Sequence, residues 1–218
     1  MLHLHHANRL EDLAEKLRRN LETPLSEVLT PEIIAVPGTA ISEWLTIRLA
    51  AETGISANIR WLLPARLLWQ IFRDTLDEVP DSNAFSADAL AWRVLPALDD
   101  STFTSRHSAL SRYLKDSNEL HRWQLARQMG RLYEQYLVFR PDWIVDWERG
   151  DTAHWQGALW QRLISEGDTR HWLRWRNQLF DRLKARSISD GALPERLSLF
   201  ALTGLSPAFL ELISTVAR

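Results

Sequence analysis

The chain has 218 residues, 45% apolar and 25% charged, with a net charge of −2 at neutral pH. That balance supports a folded core and excludes disorder as the main state, and the near-zero charge argues against a protein that simply coats nucleic acid. Cysteine is absent, which excludes a disulfide framework, a thiolate zinc site and a cysteine nucleophile together.

In chain order, Leu2–His6 alternates apolar and polar residues and predicts a strand. Asn8, with Glu11 three residues on, predicts a capped helix carrying Leu10, Leu13, Leu17 and Leu21 at helical spacing, ended by Pro24. Ile33–Val36 is a short continuous apolar run that suits a strand covered on both faces. Pro37-Gly38 turns the chain, Thr39 can cap, and Ile41, Trp44, Leu45 and Leu49 mark a helix stopping at Gly54. Asn58–Leu62 reads as a weaker strand, and Pro64 opens a helix buried through Leu67, Leu68, Ile71, Phe72 and Leu76. Strand signals then disappear, and helical stripes follow over Ala87–Leu98, Ser108–Leu114, Ser117–Val138, Trp155–Ile164 and Arg170–Leu183. The Pro141-Asp142-Trp143 step breaks the long helix. Leu197–Leu202 restores strand character, Thr203-Gly204 turns, Ser206 caps, and Pro207 opens a last helix through Ala217.

These elements predict an α/β fold: a parallel sheet with crossover helices over residues 1–85 and 187–218, and an inserted all-α subdomain over 86–186. A chain that stops inside a helix with no following strand reads as a piece of something longer. No apolar run is long enough to cross a bilayer, no export signal opens the chain, and a cytoplasmic home is expected.

The charge is polarised. Seven Lys/Arg face three acids from Arg106 to Arg140, and again from Arg162 to Arg186, while acids gather between Asp74 and Asp100. Of eleven tryptophans, eight lie between Trp92 and Trp175. Large rings can fill the gaps of a helical core, or a few can serve as flat platforms for unstacked bases beside arginines.

Catalytic motifs are thin. A phosphate-binding loop starting at Gly38 would need a second glycine at position 43 and a lysine at 44; Glu43 and Trp44 stand there, so no ATP site and no cofactor are expected. In a strand, His3 and His5 would share a face while His6 points away, poor geometry for a metal. No serine has a nucleophile-elbow frame, and no catalytic site is expected in this chain. The segment from Arg131 through Trp143 stands out because aromatic, amide, carboxylate and guanidinium groups interleave through a helix end. Gln and Arg can pair bidentately with base edges, and Glu can accept from cytosine; the same pattern also suits an ordinary amphipathic helix end.

Leu4–Leu10, Gly54–Ile59, Leu63-Pro64-Ala65 with Trp69, and Gln135–Val138 through Arg140–Trp143 resemble the amino-terminal region of the RecC family, the gamma subunits of bacterial exodeoxyribonuclease V (the RecBCD helicase–nuclease). The similarity runs along essentially the whole chain. The resemblance implies a RecA-like, superfamily-1 helicase domain that has lost its ATP motifs and carries a helical insertion. It implies a non-catalytic role in double-strand break repair: holding the duplex fork, guiding the 3′-ending single strand and scanning it for Chi, beside RecB-like and RecD-like partners. The family's recognition residues match Leu63, Trp69, Leu132, Gln135, Arg140 and Arg176 here, and Glu134 stands where the family can carry an acid. Arg131 departs from the pattern, which has an acid at its place. The alternative expectation is a Trp-rich helical module that docks helicase or nuclease partners without touching bases.

Overall fold

A computed structural model describes every residue except Val28, Asp168 and Arg218. Among the described residues, three strands and eleven helices run in the order α1 (Leu10–Leu21), β1 (Glu32–Ala35), α2 (Thr39–Thr53), β2 (Ile59–Leu62), α3 (Pro64–Thr75), α4 (Ala87–Asp99), α5 (Ser101–Thr104), α6 (Ser108–Leu114), α7 (Glu119–Phe139), α8 (Pro141–Glu148), α9 (Trp155–Ser165), α10 (Trp172–Lys184), β3 (Leu197–Leu199) and α11 (Pro207–Val216). The protein is helix-rich, with one small parallel sheet. Its contacts divide it into two compact units: Met1–Val79 with Leu179–Leu205 and Leu210–Arg218, and Pro80–Gln178 with Ser206–Phe209.

In the first unit the sheet has the order β2-β1-β3, parallel throughout. Ile34 of β1 lies opposite Trp61 of β2 and Ser198 of β3. Successive strand side chains point to opposite faces. Ile34 and Ala35 are both fully buried, so both faces of β1 are covered, as its apolar run predicts. Ala14 and Leu17 of α1, Leu45 of α2 and Phe200 share one core with Ile34 and Val36. Arg196 fastens the sheet's entry edge: its guanidinium donates to both oxygens of Glu32 and to the carbonyls of Asn20 and Thr23 at 2.9 and 2.7 Å. Gly54 ends α2 with φ 83°, a left-handed value that favours glycine.

Several expectations fail in this unit. Leu2–His6 forms no strand and its side chains are exposed; alternation alone cannot hold a strand that has no neighbour to pair with. The strand-based geometry for His3, His5 and His6 falls with it. Asn8 is not the cap of α1, because Arg9 is, without a side-chain hydrogen bond, and Glu11 and Asp12 instead place negative charge in the first turn. Thr39 is likewise the first helical residue, and Gly38 caps α2. The closing strand is also shorter than its apolar run, since Ala201 turns the chain with φ 52°.

In the second unit α4 and α7 lie antiparallel. The Glu134 carboxylate accepts from the first amide of α4, at Ala87, and Arg122 near the start of α7 pairs at 2.8 Å with Asp99 at the end of α4. At Gly130 the two backbones approach closely. A Cβ there would lie 2.2 Å from the Ala87 carbonyl oxygen and 3.0 Å from the Ala91 nitrogen. The core beneath includes Phe85, Leu90, Val94, Met129, Tyr133, Leu137, Leu159 and Trp160. Ser86 caps α4 through Ala89 N, and Ser206 caps α11 through Phe209 N at 3.2 Å. Two helices were not foreseen. α5 is a single turn nucleated by Asp100, which accepts from Thr102 N at 2.8 Å. In α8, Pro141 does more than stop α7, because it takes the first position of a new helix.

Candidate nucleic-acid interface

The 21 residues of α7 form because Asn118 caps the first turn, accepting from His121 N at 2.9 Å, and because Ala126, Met129, Gly130, Tyr133 and Leu137 recur on one face and are buried. The opposite face carries Gln124, Arg127, Gln128, Arg131, Glu134, Gln135 and Phe139, all exposed. Spacings of three and four residues align these groups along the helix.

At the end of α7 the residue before Pro141 must leave helical geometry. Arg140 does so with φ −133° and ψ 56°, while its carbonyl accepts from Trp143 and Ile144 at the start of α8. The turn aims its guanidinium at two neighbours. Nε donates to Asp142 Oδ1 at 3.0 Å and Nη2 to Oδ2 at 2.6 Å, and the group lies over the Trp143 ring, 3.7 Å from its centroid. Trp143 meets Tyr136 and Trp147 at 5.2 and 6.1 Å. Tyr133 lies 6.2 Å from Trp147 and donates its hydroxyl to the Gln156 carbonyl at 2.7 Å. Arg140 therefore caps an aromatic column rooted in the core. The hydrogen bonds from Arg140 hold the Asp142 carboxyl below its usual range, and those to Asp142 hold the guanidinium above its own. The pair is close to neutral, with Nε and Nη2 engaged by the carboxylate and Nη1 outside that pair. Such a group recognises by shape and donor geometry more than by net charge.

The residues singled out in the sequence fall as follows. Leu132 is half-buried against the core. Glu134 is exposed and closes the amino end of α4. Gln135 is exposed on the open face. Arg176, half-buried, lies over the Trp172 ring at 5.7 Å, and Trp172 Nε1 donates to the Leu137 carbonyl at 2.7 Å, tying α10 to the last turns of α7. In the other unit, Leu63 caps α3 and is 41% exposed, while Trp69 on α3 sets its ring edge-on to Phe72 at 6.5 Å. Sequence reasoning passed over Asp142 as the clamp on Arg140, and Arg127 and Gln128 as members of the open face. The signal for the latter was available in two arginines one turn apart with no acid between them.

The loop after β1 passes through Gly38, in extended geometry, into α2. Trp44, where a lysine would stand, packs against the sheet core, its ring 6.4 Å from Phe200, and Glu43 is exposed. Among the described residues no helix is long and apolar enough to cross a membrane, and no cluster of three metal-ligating side chains occurs.

Comparison with known proteins places these features in a family. The family model described as RecC, N-terminal domain, matches residues 2–218, and the chain belongs to that family. The RecBCD enzyme subunit RecC of Escherichia coli (strain K12) is 30% identical over 232 residues, covering 100% of this chain and 21% of the relative. The proteins of the same name from Haemophilus influenzae and Mycolicibacterium smegmatis are 28% and 31% identical, over 22% and 20% of their lengths. The chain thus spans about a fifth of the length of these curated relatives.

Proposed function

We propose that this chain is the DNA-contacting amino-terminal part of a non-catalytic RecBCD-type subunit, which guides the 3′-ending single strand from the duplex fork and scans it for Chi beside RecB-like and RecD-like partners in the cytoplasm. In this reading residues 1–85 and 187–218 form a RecA-like domain without ATP motifs, and 86–186 is its helical insertion. Leu63, Trp69, Leu132, Glu134, Gln135, Arg140 and Arg176 contact the strand. The observation that carries the reading is Arg140, bonded to Asp142 and lying over the Trp143 ring at the end of an exposed Gln- and Arg-bearing helix face, in a chain of the RecC family. A planar donor of that kind can read a base edge while its aromatic support excludes water.

Binding of labelled single-stranded oligonucleotides to the full-length protein at several salt concentrations tests it. Arg140→Ala is expected to weaken binding about tenfold, within the range for loss of a bidentate base contact. Unchanged affinity, or affinity indifferent to salt, would remove the support for a strand-reading role. Asp142→Asn gives the opposite sign. Freeing the guanidinium from its carboxylate adds net positive charge at the strand, so affinity at low salt should rise and the slope of log K against log salt should steepen by about 0.7. A weaker, less salt-dependent complex would mean that the clamp matters only as a scaffold.

A further inference from the structure

We propose that Trp92 and Trp123 form a second base-stacking station for single-stranded DNA on the outer face of α4 and α7, linked to the Arg140–Trp143 station by Arg127 and Arg131. The proposal rests on the strand-contacting role above and adds a site to it. Trp92 is 65% exposed, an arrangement that core packing does not explain, because a ring of that size ordinarily buries most of its surface. Its ring lies 4.6 Å from that of Trp123, tilted by 44°, and Trp123 is itself packed against the core. One indole is thus anchored and the other offered to solvent beside it.

The charges between the two stations point to a polyanion. Arg127 follows Trp123 by one turn and Arg131 follows by another, so the three share a face. Like charges at that spacing oppose helix formation, and among the described residues no ion pair engages either arginine, whereas Arg122, Arg140, Arg162 and Arg174 of the same unit each hold a carboxylate. Two uncompensated cations therefore lie on the line that runs from Trp123 along the exposed face of α7, between Trp123 and Arg140 in the chain. The acids near that line are Asp88, one turn before Trp92; Glu119, in the first turn of α7; Asp99, held by Arg122; and Glu134, which receives the Ala87 amide. From Trp123 to Arg140 is 17 residues, about 26 Å along the helix, a path that a strand of several nucleotides can cover. Alternating flat rings and separated cations match bases that stack and phosphates that need neutralising.

The test compares oligothymidines of about 4 and about 12 nucleotides on the full-length protein. Trp92→Ala, at an exposed position where folding is not at stake, is expected to weaken the longer oligonucleotide about tenfold and to erase most of its advantage over the shorter one; Trp92→Phe should restore most of the loss. Arg127→Gln with Arg131→Gln should flatten the salt slope by about 1.4. If Arg140→Ala weakens binding while the Trp92 and arginine variants do not, the second station is wrong and the strand-contacting role stands. If Trp92→Ala leaves oligonucleotide binding intact but releases a protein partner, the face is a protein-docking surface and the proposal is overturned. Should none of the variants, Arg140→Ala included, alter binding, both readings fail together.

Discussion

Gly130→Ala is expected to destabilise the protein by about 3 kcal/mol, a fall in Tm of roughly 10 °C for a chain of this size. An alanine is ordinarily the better helix former by about 1 kcal/mol, so the substitution would be stabilising on an open helix. Here the added methyl would sit 2.2 Å from a backbone oxygen of α4 and 3.0 Å from a backbone nitrogen, and neither can swing aside as a side-chain tip could. The helices must separate along their length, which opens the layer that buries Leu90, Val94, Met129 and Tyr133. Because Arg131 is the next residue, the open face of α7 moves with the backbone, and oligonucleotide affinity should fall in parallel. Thermal unfolding of Gly130→Ala beside Gln128→Ala, an exposed control on the same helix, measures the effect. Equal stability of the two variants would mean that α4 and α7 do not meet as closely as described.

How much of this was legible depended on whether one residue's chemistry decides the outcome. Pro64 fixes its own φ and lacks an N–H, Gly54 tolerates a left-handed turn, and Ser206 offers a hydroxyl to free amides; each marks a helix end, and the structure has helix ends at all three. The strand expected at Leu2–His6 rested on alternation, which states what a strand would bury but not that a neighbour exists to pair with it. Asn8 and Thr39 satisfied a capping pattern one residue away from where the chain turns. At Pro141 the sequence showed the break and hid the restart, because the property that ends one helix also suits the first position of the next. The site divided in the same way. Arg140, Gln135 and Trp143 were visible as an interleaved motif, and the side chains of Arg140 and Trp143 are neighbours because a short turn joins two helices. Trp92 and Trp123 are 31 positions apart, and only the antiparallel packing of α4 on α7 brings their rings to 4.6 Å. Likewise, no local pattern could separate the buried Trp160 from the exposed Trp92, since both lie in helices of mixed polarity.

Glu148→Leu is expected to cost about 3 kcal/mol, and adding His171→Leu to it should recover most of the loss. His171 is 2% exposed and donates from Nε2 to Glu148 Oε1 at 2.6 Å, while its Nδ1 has no partner among the described residues. The ring lies among Phe85 and Trp160, 5.4 and 5.8 Å away. Removing the carboxylate alone strands a buried polar ring in that apolar setting, which is worse than having no polar group there. Replacing both partners by leucine removes the burden with the bond, provided the volume is filled. The pair also predicts an acid response. Burial pushes the Glu148 carboxyl up, but the hydrogen bond from His171 and the attraction of His171 and Arg174 outweigh it and leave the group below its ordinary value. A carboxylate depressed in the folded state contributes stability above its unfolded pKa of about 4.3, and that contribution disappears as pH falls through the folded value. The stability difference between the natural protein and the double variant should therefore shrink as pH drops below about 4, while the deficit of Glu148→Leu at pH 7 stays large. Urea unfolding of the three proteins between pH 7 and pH 3 measures both. A Glu148→Leu variant as stable as the double one would mean that His171 finds another acceptor. A difference that does not change with pH would mean that the carboxylate is not held in its charged form by the histidine.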